Sequence, residues 1–407
     1  MKANFVLEIG VEDLPEKAGE YLEKSFSFLL ENSLKENRID YEDLKIFHTP
    51  RRIIIFLKNL QETQKEKITQ ITGPPLEICL DKNGMWNEIA IKFVKSKNAN
   101  ITDLKIFEKN GKRVIGIEKK EKGEKIFKIL NGIINDVLKK MEIPRGMIWS
   151  ENKFKFFRPI RYIFSLYGGK SIPFEIAGIH NKKFTYGHRV LSDEKIVPKN
   201  PTDYFDKILK NYVIFDQNLR RKMIEAQIRK IIKNKFSYKN EFIERVVNLI
   251  EYPICGICEL PENYKKLPQE VLVSLILNVK GVPLFDSNNN LAQIFIVICD
   301  GIFNEKIKGN YEKVVESKIE DAIFFMEQDL IKKPFIEYLL DLKNILYHPK
   351  LGTVYDRVER IRKICDFISE NLNLEEETKN KISLIVSLFK NDLATLMVSE
   401  FPSLQGV

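Results

Sequence analysis

Apolar and polar positions alternate over Asn4–Ile9, which predicts a strand. Leu14-Pro15 then opens a helix from Glu16 to about Lys35, because Leu22, Phe26, Leu29, Leu30 and Leu34 share one helical stripe. Ile46–Phe47 and Arg52–Leu57 read as strands on either side of His48-Thr49-Pro50-Arg51. Thr72-Gly73-Pro74-Pro75 and Asp81–Gly84 carry turn chemistry. A short helix is expected over Trp86–Lys95, a hairpin over Leu104–Glu108 and Lys112–Glu118 around Asn110-Gly111, and a helix over Glu124–Met141.

Strands follow at about Phe156–Tyr167, Ser171–Ile179 and Lys183–His188, then helices over 201–211, 218–235 and 241–250. Glu251–Leu260, Val282–Phe285 and Ile294–Cys299 read as strands, with a helix over Gln269–Leu277. From Tyr311 helical periodicity runs nearly to the end, through 311–346, 353–371, 375–389 and 391–400. The pattern predicts an α+β multidomain N-terminal region followed by an all-α part. Its modules are 1–72 (β-α-β-β), 73–144 (α+β), 145–310 (β-rich and mixed) and 311–407 (helical). A chain of 407 residues accommodates two to four domains.

Charge singles out one stretch. Arg145–Leu191 holds nine Lys/Arg against two Glu, a net +7 in 47 residues, while the whole chain carries +9. Ten aromatic residues are interleaved there. Cations on a scaffold of rings suit a polyanion, RNA first, or else are the solvated outer faces of a β-rich domain. Lys/Ile/Asn richness suggests an AT-rich coding bias, so scattered Lys such as Lys153, Lys155, Lys182 and Lys183 carry little weight. Five Cys make no disulfide framework at this length, and Cys255-Gly-Ile-Cys258 lies in a strand-like run rather than at a helix start. The longest apolar runs are strand-length, far below the ~18 residues of a membrane span. The first residues do not form a signal peptide, so the chain is expected in the cytoplasm.

No P-loop, GxGxxG, HExxH or GxSxG occurs, so no self-contained active site is expected. Arg158 and Arg161 lie three apart around Pro159 and can face one partner only if Pro159 sits at an edge or bulge. Arg51 and Arg52 are adjacent and should point opposite ways, one of them into a structural ion pair. Glu8 and Glu12 interrupt an apolar opening and are expected to pair with buried Arg. His188 beside Arg189 suits either a nucleotide contact or a satisfied core histidine. Trp149 is expected in the core.

Several stretches together carry a resemblance. They are LEIGVEDLPEKA (7–18), His48-Thr49-Pro50-Arg51-Arg52, Gly73-Pro74-Pro75, Met147-Ile-Trp149, Phe157-Arg158-Pro159-Ile160-Arg161 and Gly187-His188-Arg189. Glu251-Tyr252-Pro253, LPQEVL (267–272), Gly309-Asn310, DAIFF (321–325), Leu351-Gly352-Thr353 and DLATLMVSEFPSLQGV (392–407) continue it. Collinear over essentially the whole chain, they resemble the β subunit of bacterial heterotetrameric glycyl-tRNA synthetase. The family's His-Gln-Lys-Tyr-Phe run reads Asn278-Val279-Lys280-Gly281-Val282 here.

The resemblance implies an α2β2 assembly in which the α subunit forms glycyl-adenylate from ATP and glycine. The β subunit binds tRNA(Gly) and supports transfer. No cofactor is then expected on this chain, ATP with Mg being used through the α subunit, and no membrane is involved. Arg51, Arg52, Arg158, Arg161, His188 and Arg189 become the candidate tRNA contacts. The helical part from about Ile331 resembles the start of the family's HD-like domain, without a His-Asp pair. Lys390-Asn391-Asp392 stands at a ligand position, so a non-catalytic scaffold is implied. The family continues past this chain's last residue to an anticodon-binding domain, so a fragment or truncated frame is expected, with Leu388, Leu393, Leu396 and Val398 left exposed. The alternatives are a metal-dependent HD phosphohydrolase with an RNA-binding half, and a truncated remnant or assembly scaffold.

Overall fold

The computed structural model describes residues 2–81, 84–109, 111–149, 153–192, 194–233 and 235–407. It is mixed α/β with several small sheets. Two compact units result, one up to Asp216 and one from Gln217 on.

In the first unit the elements are β1 (Lys2–Val11), α1 (Ala18–Tyr21), α2 (Ser27–Glu36), β2 (Asp43–Thr49), β3 (Arg52–Gln61) and β4 (Lys67–Pro75). A π-helical turn, Leu22–Phe26, joins α1 to α2. Next come α3 (Glu88–Ser96), β5 (Leu104–Lys109), β6 (Lys112–Glu121), α4 (Ile126–Lys140), β7 (Met147–Trp149), β8 (Phe154–Phe156) and β9 (Ile160–Tyr167). Then follow β10 (Glu175–Ile176), β11 (Ile179–Lys182), β12 (Thr185–Tyr186), β13 (Lys195–Ile196) and α5 (Pro201–Lys210).

A six-stranded sheet of order β10-β11-β9-β1-β3-β2 organises this unit. Its central strand β1 is buried on both faces, and the period-2 alternation sorts its side chains. Phe5, Leu7, Ile9 and Val11 face the core under α2 and α4. Val6 faces the other way, with Ile54, Phe164, Leu166 and the α5 residues Tyr204 and Ile208. Glu8 and Gly10 share the parity of Val6. A separate three-stranded sheet, β4-β6-β5, packs Ile115 against Ala90 of α3.

Several expected elements are shorter than the pattern suggested. The strand foreseen over Phe156–Tyr167 breaks at Phe157–Pro159. The strands foreseen over Ser171–Ile179 and Lys183–His188 reduce to β10 and β12. Pro173 has no N–H for a ladder, and Ala177 (φ 54°) and Gly178 (φ 80°) turn the chain between β10 and β11. Thr72–Pro75, foreseen as a turn, ends β4 with a register shift instead. Lys82 and Asn83 of one foreseen turn, and Asn110 of the hairpin turn, lie outside the described residues.

The second unit runs α6 (Gln217–Ile232), α7 (Asn240–Val247), β14 (Pro253–Glu259), α8 (Gln269–Asn278), β15 (Gly281–Phe285), β16 (Leu291–Asp300) and α9 (Glu305–Lys332). It closes with α10 (Tyr338–Asp341), β17 (Leu346–His348), β18 (Gly352–Thr353), α11 (Val354–Asn371), α12 (Glu376–Leu388) and α13 (Leu396–Glu400). An antiparallel sheet of order β14-β16-β15 shares one core with α6, α7, α8 and α9, and Phe401 and Leu404 join it. The helix foreseen over 311–346 starts earlier, where Asn304 caps Ile307 N–H at 3.0 Å, and it stops before Pro334. Asp329 near its end accepts from Leu396 N and Met397 N, both at 2.9 Å, and so caps α13. Leu388, Leu393, Leu396 and Val398 are half-buried, whereas Ile364, Phe367 and Ile385 are exposed. Among the described residues no helix is long and apolar enough to cross a membrane.

Candidate nucleic-acid interface

Parity on the central sheet brings the first-unit candidates together. Glu8, Arg52 and Tyr162 lie on one face, and Gly10 is the register partner of both Arg52 and Tyr162. A Cβ at residue 10 would stand 2.1 Å from the Tyr162 ring, so glycine makes the close approach possible. Arg52 and Tyr162 reach past it, diagonally, to Glu8.

Glu8 is fully buried and every lone-pair direction of its carboxylate is used. Oε1 accepts from Arg52 Nη1 at 2.8 Å and from the Tyr162 hydroxyl at 2.6 Å. Oε2 accepts from Thr185 Oγ1 at 2.5 Å and from the Tyr204 hydroxyl at 2.9 Å. Burial, reinforced by the Glu8 charge, pushes both phenols well above the ordinary tyrosine range, although Arg52 opposes it. They therefore stay protonated donors. Arg52 also donates to the end of β12 and the residue after it, to Tyr186 O at 2.8 Å and Gly187 O at 3.0 Å. The ion pair foreseen for Glu8, and for one of the two adjacent arginines, is this one. The second acid, Glu12, pairs with a different, exposed arginine.

The pinned loop continues into His188 and Arg189. His188 is buried, and its Nδ1 accepts from Val190 N and Leu191 N, each at 3.2 Å. Its backbone N–H donates to Asn211 O at 2.9 Å. The ring thus shapes the turn that carries Arg189, which is exposed. Arg51 sits in the two-residue turn between β2 and β3, and its Nε lies 2.9 Å from Asp13 Oδ1. Arg161 is exposed, with Nε 3.1 Å from Glu12 Oε1.

Arg161 owes its position to an irregularity beside Pro159. Gly10 pairs with Tyr162 and Val11 with Ile160, so Arg161 is the extra residue on β9, a bulge that turns it outward. Arg158 is half-buried and donates from Nη1 to Phe157 O at 2.9 Å. A cleft of about 370 Å³ lies between Arg51, Arg161 and Arg189, floored by Arg52 and walled by Tyr162 and Tyr186. Four of the six sequence candidates line it. Arg158 and His188 do not.

The basic-aromatic patch extends beyond the cleft through a residue that sequence reasoning discounted. Lys182 places Nζ 5.5 Å from the Phe184 and Tyr186 ring centroids and 6.0 Å from that of Tyr162. Lys195 lies 4.9 Å from the Phe184 ring of the same cluster. The alternation Lys182-x-Phe184-x-Tyr186 was the available signal. Trp149 is partly buried against the main core and packs on Phe154 at 5.9 Å. In the second unit, Asn391 is buried and donates to Phe335 O, while Asp392 accepts from Gly406 N. Cys255 and Cys258 stand in β14, where burial pushes both thiols up to about 12.

The sequence matches the family model described as glycyl-tRNA synthetase beta subunit over residues 5–407. It is 34% identical over 412 residues to the glycine--tRNA ligase beta subunit of Halothermothrix orenii, and 35% identical over 417 residues to that of Dictyoglomus turgidum. The corresponding protein of Listeria monocytogenes is 32% identical over 417 residues. All of this chain is covered in each case, and it spans 59–60% of the length of these curated relatives.

Proposed function

The chain belongs to the glycyl-tRNA synthetase β-subunit family, and we propose that it serves glycine--tRNA ligase by holding tRNA(Gly) through the arginine cleft of its first unit. The observation that carries this reading is the convergence of Arg51, Arg161 and Arg189 over a floor fixed by the Glu8–Arg52 pair. The ion pairs Arg161–Glu12, exposed on both sides, and Arg51–Asp13, exposed on its Asp13 side, contribute about 0–1 kcal/mol. Exchanging those carboxylates for phosphates therefore costs little, and the guanidiniums are already in place. Arg52 and His188 act from beneath, by shaping the loop that presents Arg189. Lys182 with Phe184 and Tyr186 extends the surface for a base or ribose to stack on.

The chemistry falls to the α subunit of an α2β2 enzyme, which uses ATP with Mg. This chain contributes RNA binding in the cytoplasm. Its helical end acts as a scaffold of the HD-like type, since Lys390 stands where a hydrolase would need a ligand histidine and its ammonium would repel a cation.

Anisotropy of a labelled tRNA(Gly) transcript, titrated with the purified chain over a range of salt, tests the reading. Salt-dependent binding, with no glycine-dependent pyrophosphate exchange by the chain alone, is expected. Binding that is absent at low salt, or exchange without the α subunit, would overturn it.

A further inference from the structure

We propose a second anion site, for a phosphate-bearing small ligand, where α2 ends. It lies at the opposite end of the central sheet from the arginine cleft, a strand length of about 30 Å away. Its basis is Arg38, one of whose guanidinium nitrogens is buried without a partner among the described residues. Arg38 follows the last turn of α2 with φ 57°, in the left-handed region that glycine occupies without strain. Its N–H donates to Lys35 O at 3.0 Å, and Ile39 N–H donates to Leu34 O at 2.9 Å. That is the hydrogen-bond pattern of a Schellman helix end, at which glycine is the usual residue.

Nothing in the local backbone rewards an arginine at this place. The carbonyls of Ser33, Leu34 and Lys35 already accept from Asn37, Ile39 and Arg38. Arg38 Nη1 is buried and has no hydrogen-bond partner among the described residues. It lines a cavity of about 520 Å³ together with Lys35, Lys65, Glu31, Asp40 and Tyr41. That volume suits a small ligand.

The walls are held in advance. Lys65 N–H donates to Arg38 O at 3.0 Å, Gln64 Nε2 donates to Asn37 O at 2.9 Å and Gln61 N–H donates to Asp40 O at 2.9 Å. Lys65 Nζ is paired with Asp40 Oδ2 at 2.7 Å. Lys35 and Arg38 have no ion pair among the described residues, and two cations match a phosphate dianion. Glu31 at the rim opposes it. A buried guanidinium nitrogen without a partner, set in the lining of a preformed cleft beside a second cation, is the pattern expected of an anion site.

Thermal unfolding of the full 407-residue chain in inorganic phosphate, against chloride at matched ionic strength, tests this. Phosphate should raise the midpoint by about 2–4 °C. Arg38→Gly should abolish that rise and give a phosphate-free midpoint above that of the unsubstituted chain, because the strain is relieved. Arg38→Asn, which also tolerates the conformation, should abolish the rise too, and Glu31→Gln should enlarge it. A larger response to AMP than to phosphate would identify a nucleotide as the source, and equal responses would identify the free ion. Arg38→Gly should leave salt-dependent tRNA(Gly) binding unchanged, so a failure here is distinct from a failure of the tRNA reading, on which this site does not depend. The site is overturned if phosphate gives no shift, if Arg38→Gly retains it, or if Arg38→Gly lowers the phosphate-free midpoint.

Discussion

Arg52 lies 2.8 Å from Glu8, both buried, although 44 positions separate them in sequence. The pair joins β1 to β3 and, through the spare hydrogens of Arg52, fixes the loop that leads to Arg189. Glu8→Ala would leave a buried guanidinium without its counter-charge, a loss of about 3–5 kcal/mol. Denaturant unfolding of this variant should show a midpoint well below that of the unsubstituted chain. An unchanged midpoint would mean that the pair holds nothing together.

The rim arginines should behave in the opposite way. Arg161→Ala and Arg189→Ala each remove an exposed side chain, so unfolding should change by about 0.5 kcal/mol or less. Each should also lower the log–log salt slope of tRNA binding by about 0.7–0.9, because one fewer phosphate is neutralised. Arg52→Ala should instead lower stability first. Equal stability losses for all three would place the rim arginines in the core.

Gly10→Ala puts a methyl group into the Tyr162 ring, so Tyr162 must give up its place beside Glu8. Overpacking of this kind costs about 1–3 kcal/mol. Thermal melts would register it as a lower midpoint, and tRNA affinity should fall with it because Tyr162 walls the cleft.

Alkali should find the same knot. Tyr162 and Tyr204 are raised above the ordinary value of 10.0 in the folded chain. Above pH 10 the unfolded chain therefore releases protons that the folded chain retains, and stability falls as pH rises from there. Below pH 10 these two groups give no slope. Phenolate absorbance near 295 nm should show that Tyr162 and Tyr204, together with other raised tyrosines such as Tyr311, ionise only as the fold is lost. Smooth titration of all the tyrosines in a chain that stays folded would contradict the burial.

Cys255 and Cys258, with thiols pushed up to about 12, should resist a disulfide-exchange reagent at pH 8 and react after denaturation. Rapid labelling of either in the native chain would point to an accessible redox pair.

What could be read beforehand follows the reach of the physics. Period-2 and period-3.6 patterns placed β1, α4, the β5–β6 hairpin and the α8 helix within a few residues, because those patterns are local. The acid at residue 8, set among apolar neighbours, already implied a buried cation. Its other three partners, Tyr162, Thr185 and Tyr204, were not legible, since they come from distant segments and each residue type has many innocent uses. The Ala177-Gly178 turn was missed because alanine is an uncommon occupant of a left-handed position. Arg158 and Arg161 were expected to share a partner only with Pro159 at an edge or bulge; a bulge is present beside Pro159, yet it sends Arg161 outward and leaves Arg158 half-buried.

Glu8 is made early and Tyr204 late, 196 positions apart, with Arg52, Tyr162 and Thr185 between. A ribosome extends the chain at about 5–20 residues per second, so the first strand waits on the order of ten seconds or more for its last hydroxyl. During that interval the acid has no complete dry socket and gains by staying in water. The central sheet therefore closes from its end rather than its beginning, and the arginine cleft exists only on chains whose first unit has fully emerged.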